Sequence, residues 1–105
     1  MTLTDLQLMT ERDAFRYEEE DSTDWRVSGG KCLDFSEHIR DLHFGGTAML
    51  GTYLHHGRRV PHAWLELPGG DILDATLDQF GVPGGVRRLR PSDPDFARYQ
   101  GHPAE

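Results

Sequence analysis

A cysteine, a histidine and an aspartate occur in settings that suit a single chemistry. Cys32 is the only cysteine of the chain, His62 begins the run His-Ala-Trp, and Asp74 begins the run Asp-Ala-Thr. A thiolate can attack a carbonyl carbon, an imidazole can take and return a proton near neutral pH, and a carboxylate can hold the imidazole in one tautomer. The three residue types therefore predict a catalytic triad for acyl transfer, provided that the fold brings them together.

The histidine and the aspartate are predicted to meet across a β-hairpin. Two apolar runs, at 63–67 and 72–76, flank Pro68-Gly69-Gly70, and both are typical of strands. A two-residue turn would place Asp74 and His62 on opposite faces, because side chains alternate along a strand. A three-residue loop pairs Leu67 with Asp71 and makes His62 and Asp74 diagonal neighbours, about 7–8 Å apart at the backbone. Proline first and glycine last favour that loop, so we predict it.

The cysteine is predicted to lie in the first turn of a helix over Cys32–His43. Apolar side chains recur with helical spacing at Phe35, Ile39 and Leu42, on the same face as the cysteine. A thiol in a first turn meets the positive end of the helix dipole, which favours thiolate, and the free backbone N–H groups could stabilise an oxyanion. The alternative interpretation is a small buried apolar residue, which is what most free cysteines are.

The remaining segments predict an α+β fold, with N-terminal helices packed on a small antiparallel sheet that carries the histidine and the aspartate. A first helix is predicted over Thr2–Tyr17, with Thr2 or Thr4 as its cap. A strand over Thr47–Leu54 is followed by a polar loop at 55–59 that leads into the hairpin with the histidine. A short strand at Val86–Leu89 and a brief helix ending at Tyr99 follow, and the last five residues are expected to fray. Three main strands result, with the histidine on the second and the aspartate on the third.

Length and charge narrow the class of protein. The 105 residues predict one domain over 1–105, with a core at about 25–90 and a C-terminal tail at 91–105. Eighteen acidic against eleven basic residues give a net charge of −7, which argues against a nucleic-acid surface. No apolar run approaches the ~20 residues of a membrane span, and no signal-peptide pattern opens the chain. With a lone cysteine, these features predict a cytoplasmic protein.

Three motifs follow one another along the chain: Gly-Lys-Cys at 30–32, His-Ala-Trp at 62–64 and Asp-Ala-Thr at 74–76. In this order they resemble the transglutaminase-like branch of the papain-like cysteine enzymes, over about residues 25–80. The longer run Asp74–Phe80 is similar to small bacterial and phage proteins of that branch. The combination points to a fold and a triad, and only weakly to a substrate.

The resemblance implies a cysteine-dependent acyl-transfer enzyme of the peptidase, amidase, deamidase or transglutaminase type. Cys32 would be the nucleophile, His62 the general base and acid, and Asp74 the group that orients the imidazole. The expected substrate is an amide or peptide bond of a protein or peptide, and no cofactor or metal is expected. Because the chain is small, self-association or a partner protein could complete the site.

The chain departs from the papain-like pattern at the oxyanion hole. Papain-like enzymes place a glutamine ahead of the cysteine there, whereas here no glutamine lies between Gln7 and Cys32. Four residues are the candidates for contacts to the substrate or the oxyanion: Trp25, Lys31, Trp64 and Gln79. Among them, Gln79 is expected to be structural by default.

Two other classes of function compete with the enzyme. A zinc site could use Cys32 with His55, His56 or His62, although zinc usually takes four ligands and adjacent histidines on a strand would point apart. A binding or assembly module could keep the fold and lack turnover, as the small size and the absent upstream glutamine suggest. Metal analysis tests the first alternative, and the reactivity of the thiol tests the second.

Overall fold

The computed structural model describes residues 3–18 and 30–104, apart from the side chains of residues 16–18, 30 and 31. These residues form two α-helices and a five-stranded antiparallel sheet, so the predicted α+β class is confirmed. The elements are α1 (Asp5–Glu18), α2 (Gly30–Ile39), β1 (Thr47–His55), β2 (Arg58–Glu66), β3 (Ile72–Asp74), β4 (Arg87–Leu89) and β5 (Tyr99–Pro103). No helix within the described ranges is long and apolar enough to cross a membrane.

Helix α1 begins after a reciprocal cap. The backbone N–H of Gln7 donates to the Thr4 hydroxyl oxygen at 3.1 Å, and the N–H of Thr4 donates to the Gln7 side-chain oxygen at 2.8 Å. This capping box satisfies two N–H groups that have no partner inside the helix. The prediction of Thr4 as a cap is therefore confirmed, and the helix starts at Asp5 instead of Thr2.

Helix α2 ends differently from the prediction of one helix over Cys32–His43. The α-helical part stops at Ile39, and a π-helical turn continues the chain over Arg40–Phe44. The N–H of Gly45 donates to the carbonyl of Arg40 at 2.8 Å, and Gly45 adopts φ of 67°, a conformation that glycine takes without a steric penalty.

The β2–β3 hairpin has the predicted register. Leu65 lies opposite Leu73, and the N–H of Leu67 donates to the carbonyl of Asp71 at 2.7 Å, which closes a three-residue loop. His62 and Asp74 consequently lie on the same face of the sheet, one diagonal step apart. The prediction of the loop at 68–70 is confirmed.

The β1–β2 hairpin is tighter than the polar loop expected around residues 55–59. His55 pairs with Arg58, so that only His56 and Gly57 form the turn, at φ of 50° and 76°. Two residues with positive φ match the right-handed twist of the flanking strands. Both strands are therefore longer than predicted.

Strand β3 stops at Asp74, two residues before the predicted end at Thr76. The backbone N–H of Thr76 donates to Asp74 Oδ1 at 3.0 Å, and the guanidinium of Arg12 donates to the carbonyl of Ala75 at 3.0 Å. These side chains take the backbone groups that would otherwise continue the ladder with β2. The aspartate thus ends its own strand.

The prediction that the last five residues fray is wrong, because Gly101–Pro103 belong to β5, which pairs with β1. Gly51 of β1 lies opposite Gly101, and neither position has room for a side chain. A Cβ on Gly101 would lie 2.6 Å from the Leu50 carbonyl and 2.8 Å from the Trp64 ring. Strand β5 therefore approaches the sheet closely through a pair of glycines.

The sheet is covered on both faces. On one face the helices pack against β2 and β3 through Leu8, Phe35, Ile39, Ala63, Leu65 and Leu73. On the other face a second cluster contains Tyr53, Trp64, Ile72, Leu77, Leu89 and Tyr99. The strand order β4-β3-β2-β1-β5 puts β2 at the centre, so that both faces of its middle residues are buried.

Candidate active site

The centre of the site is a hydrogen bond between two buried residues of neighbouring strands. His62 Nε2 lies 2.6 Å from Asp74 Oδ2, and the two residues are 2% and 1% exposed. Since the carboxylate takes Nε2, the other ring nitrogen, Nδ1, is left for a different partner. Within the described part of the chain, Nδ1 makes no hydrogen bond.

The Asp74 carboxylate is held on all sides. Oδ2 accepts a second hydrogen bond from the Tyr99 hydroxyl at 2.8 Å. Oδ1 accepts from the N–H of Thr76 at 3.0 Å and from its hydroxyl at 3.3 Å. Each oxygen thus has two hydrogen-bond partners, which fixes the plane of the group. Asp74 is therefore suited to orient an imidazole.

Burial and charge oppose each other at His62. Burial has the largest single influence and lowers the pKa of the imidazole, because it penalises the charged form. The charge and hydrogen bond of Asp74, with a smaller contribution from Cys32, outweigh it and raise the pKa of His62 to about 10. The imidazole is therefore protonated at neutral pH.

Cys32 lies in the first turn of α2, where its thiol packs in the core cluster between helix and sheet, 2% exposed. It is close enough to His62 to raise the pKa of the imidazole, although Nδ1 makes no hydrogen bond to the sulfur.

Gln79 supplies the one side-chain hydrogen bond to the sulfur among the described residues. Its Nε2 donates to Cys32 Sγ at 3.1 Å and to the carbonyl of Thr76 at 2.9 Å. Because both hydrogens of the amide have acceptors, the N and O positions of the amide are fixed. The structure thus places the Gln79 amide directly beside the Cys32 sulfur, whereas the sequence had suggested a structural role.

Aromatic side chains enclose the His62 ring. Phe80 and Tyr53 contact it edge-on, with ring centroids 5.2 and 5.8 Å away, and Trp64 and Tyr99 lie at 6.1 and 6.3 Å. Trp64 is 3% exposed and packs against Tyr99. Trp64 is thus a buried neighbour of the imidazole, and its contact with a substrate stays a prediction. Enclosure of this kind strengthens electrostatic interactions at the ring.

The other two contact candidates cannot be placed. Trp25 lies outside the described residues, and so does the side chain of Lys31, of which only the backbone in α2 is described. The site is therefore assembled from Cys32, Gln79, His62 and the residues around Asp74.

Sequence reasoning missed two residues that shape the site. Tyr99 reaches Asp74 from β5, and burial together with the Asp74 charge raises its pKa far above the usual range, so it stays a donor. Arg12, 5% exposed in α1, donates to the carbonyls of Ala75 and Gly84, at 3.0 and 2.6 Å. No local pattern marks either residue, since both act on segments more than 20 positions away.

The two adjacent histidines do not point apart as expected. His56 lies in the hairpin turn, so its ring comes within 4.0 Å of the His55 ring, centroid to centroid. Across residues 3–18 and 30–104, no three His, Cys, Asp or Glu side chains form a group that could hold a metal ion.

No family model, no curated protein and no solved structure matches the chain. The geometry of the site therefore carries the functional argument.

The raised pKa of His62 predicts a pH dependence of folding stability. Between the ordinary value of 6.5 and about 10, the folded state holds a proton that the unfolded state has released. The stabilisation from this group is thus complete below pH 6.5 and is lost as the pH rises towards 10. For one proton the expected slope is about 1.4 kcal/mol per pH unit.

Urea unfolding of Cys32→Ser at several pH values between 6 and 10 measures this slope in a protein without the thiol. The double variant Cys32→Ser/His62→Gln provides the baseline for all other groups. Equal pH dependence of the two variants would contradict a protonated His62 in the folded protein.

Proposed function

We propose that this protein is a cysteine-dependent acyl-transfer enzyme that acts on an amide or peptide bond. Cys32 is the nucleophile, His62 moves the proton, and Asp74 orients the imidazole. The observation that carries the proposal is the 2.6 Å bond from His62 Nε2 to Asp74, which leaves Nδ1 for the neighbouring thiol. The resemblance of the three motifs to the transglutaminase-like, papain-like enzymes agrees with these roles.

In the first step, the Cys32 thiolate attacks the carbonyl carbon of the substrate. A sulfur–carbon bond forms, and the π electron pair of the carbonyl moves to its oxygen. When the intermediate collapses, His62 Nδ1 gives its proton to the leaving nitrogen, the carbon–nitrogen bond breaks, and an amine departs. A thioester on Cys32 and a neutral imidazole remain.

In the second step, water or an amine attacks the thioester carbon and gives its proton to His62 Nδ1. The carbon–sulfur bond breaks with its electron pair on sulfur, which restores the thiolate and the imidazolium. Asp74 keeps the proton on Nε2 throughout, so that Nδ1 alone exchanges protons with the substrate. Water as acceptor gives hydrolysis or deamidation, and an amine gives transfer or cross-linking.

Gln79 takes the place of the absent upstream glutamine in this proposal. Its amide is fixed by two acceptors and lies 3.1 Å from Cys32 Sγ. A donor at that position stabilises negative charge on the sulfur and lies next to the carbon that the sulfur attacks.

The test is acylation by p-nitrophenyl acetate, an activated ester with little demand on a specificity pocket. We expect a stoichiometric burst of p-nitrophenol at pH 7, with the acetyl group located on Cys32 by mass spectrometry, followed by slower turnover. Cys32→Ala should abolish the burst, and His62→Gln should slow it by roughly a hundredfold.

The matched control is His102→Gln, which changes an exposed histidine of β5. It should keep the burst and the turnover of the original chain. Acetylation of Cys32 at the same rate in the original chain and in His62→Gln would overturn the proposal.

The burial of Cys32 favours one alternative, a binding module in which the same residues only stabilise the core. A thiol that is 2% exposed reacts only when the protein opens around it. In a pure binding module, alkylation by iodoacetamide would follow global unfolding and would change with urea as global stability does. In the proposed enzyme, alkylation is much faster than global unfolding allows and is independent of low urea concentrations.

A further inference from the structure

A groove of about 490 Å³ opens beside the site and has no assigned role. It lies between the turn of the β1–β2 hairpin, the short 3-10 helix Leu77–Phe80, and the residues before β5. Its polar lining includes His55, Arg87, Asp95 and Arg98. The volume suits one amino-acid residue of a substrate, since small-molecule sites are typically about 300–1,000 Å³.

The groove shares a wall with the candidate active site. Tyr53 and Phe80 line the groove and also contact the His62 ring, with centroids 5.8 and 5.2 Å away. Phe80 directly follows Gln79, whose amide bonds to the Cys32 sulfur. The groove is therefore separated from the candidate active site only by the side chains of Tyr53 and Phe80, so a substrate that reacts at Cys32 could extend into it.

The groove is positively charged on a protein of net charge −7. Arg87 donates to Asp95 Oδ2 at 2.7 Å, and Arg98 donates to Asp95 Oδ1 at 3.0 Å. Two guanidinium groups thus face one carboxylate. All three side chains are 40–45% exposed, so the surplus charge is open to a ligand.

Most donors of the two guanidinium groups are unused among the described residues. Each guanidinium carries five N–H groups. Arg87 uses one of them, on Asp95, and Arg98 uses others on Asp95 and on the carbonyl of Leu54, at 2.9 Å. Guanidinium groups with free N–H donors commonly bind carboxylates through pairs of parallel hydrogen bonds.

We propose, building on the acyl-transfer function above, that this groove binds a carboxylate of the substrate. That carboxylate is either the C-terminus of a peptide or the side chain of an aspartate or glutamate. One surplus positive charge matches a singly charged group, whereas a phosphate near neutral pH carries up to two. The substrate is thus an acidic or C-terminal peptide segment, selected by Arg87 and Arg98 while Cys32 attacks the amide.

An NMR titration tests the groove without any acyl chemistry. N-acetylglycine carries a free carboxylate like that of a C-terminus, and N-acetylglycinamide is its neutral match. N-acetylglutamate α-amide and N-acetylglutamine α-amide make the same comparison for a side chain. We expect the carboxylates to shift the backbone amide signals of His55 and Phe80, and the neutral amides to bind at least several-fold more weakly. The carboxylate that binds more tightly shows whether the groove prefers a peptide C-terminus or an acidic side chain.

Three variants of the full chain are expected to weaken, strengthen and leave unchanged the binding of the carboxylate. Arg87→Gln, which loses only its bond to Asp95, should weaken carboxylate binding about three- to fivefold. Asp95→Asn, which removes the competing carboxylate, should strengthen it by a similar factor. Arg90→Gln, an exposed arginine outside the groove, should leave it unchanged.

Equal binding of the carboxylates and their amides, tighter binding of inorganic phosphate, or no effect of Arg87→Gln would each overturn the inference. Failure of this titration would leave the acyl-enzyme burst standing as evidence for the enzyme. Conversely, if the burst is absent but the carboxylates bind, the groove binds carboxylates and the proposal of an acyl-transfer enzyme is wrong.

Discussion

Asp74→Asn should lower the rate of acyl transfer by roughly 10²–10⁴-fold while the protein stays folded. The asparagine carbonyl can keep the bond from the N–H of Thr76, and its NH₂ group then faces His62 Nε2 and the Tyr99 hydroxyl. Both can accept from it, Tyr99 by rotation of its hydroxyl and His62 by a change of tautomer. The imidazole proton then lies on Nδ1, where it blocks transfer from the thiol.

Two measurements check the mechanism of this loss. The acetylation burst reports the rate, and ¹⁵N NMR of the imidazole reports its protonation. His62 should be protonated at pH 7 in the original chain and neutral, with the proton on Nδ1, in Asp74→Asn. A variant with full activity, or one that keeps a protonated His62, would show that the carboxylate does not set the state of the imidazole.

Asp74→Ala should instead destabilise the protein by about 3–5 kcal/mol, because it leaves the donors of His62, Thr76 and Tyr99 buried without their acceptor. In a domain of this size such a loss lowers Tm by more than about 10 °C. Asp34→Ala is the matched control, since Asp34 is exposed on α2, and it should change Tm by a few degrees at most.

Double-mutant analysis separates this cost from simple loss of packing. Adding His62→Leu to Asp74→Ala removes one stranded donor, so the double variant should be less destabilised than the sum of the two single variants. Additive losses, measured by urea unfolding at pH 7, would mean that His62 and Asp74 do not stabilise each other.

The hairpin register was open to prediction from sequence because it depends on neighbours in the chain. The loop at 68–70 has a proline and two glycines, and loop length together with the alternation of side chains decides which residues share a face. The pairing of His62 with Asp74 follows from these local rules. The cap at Thr4 and the placement of Cys32 in a first helical turn are equally local.

Local sequence rules could not predict where β3 ends or that Gln79 contacts the Cys32 sulfur. Thr76 continues the alternating pattern of a strand, yet its N–H donates to the side chain of Asp74. The guanidinium of Arg12 donates to the carbonyl of Ala75. The chain then turns and delivers Gln79 to the sulfur at 3.1 Å. Whether these backbone groups bond to the neighbouring strand or to a side chain depends on which residues pack nearby, and the local sequence does not reveal that.

Strand β5 is the clearest example of an element that the local sequence did not predict. Tyr99-Gln100-Gly101-His102-Pro103 has no alternating apolar pattern, and its pairing depends on Gly51, 50 positions earlier, which leaves room for Gly101. Sequence alone therefore determined the residue types of the proposed triad, the register that brings His62 and Asp74 together, and the helical turn that contains Cys32. Only the tertiary structure decided what surrounds Asp74 and the thiol, because those contacts join segments whose meeting is fixed by packing of the whole chain and not by any local propensity.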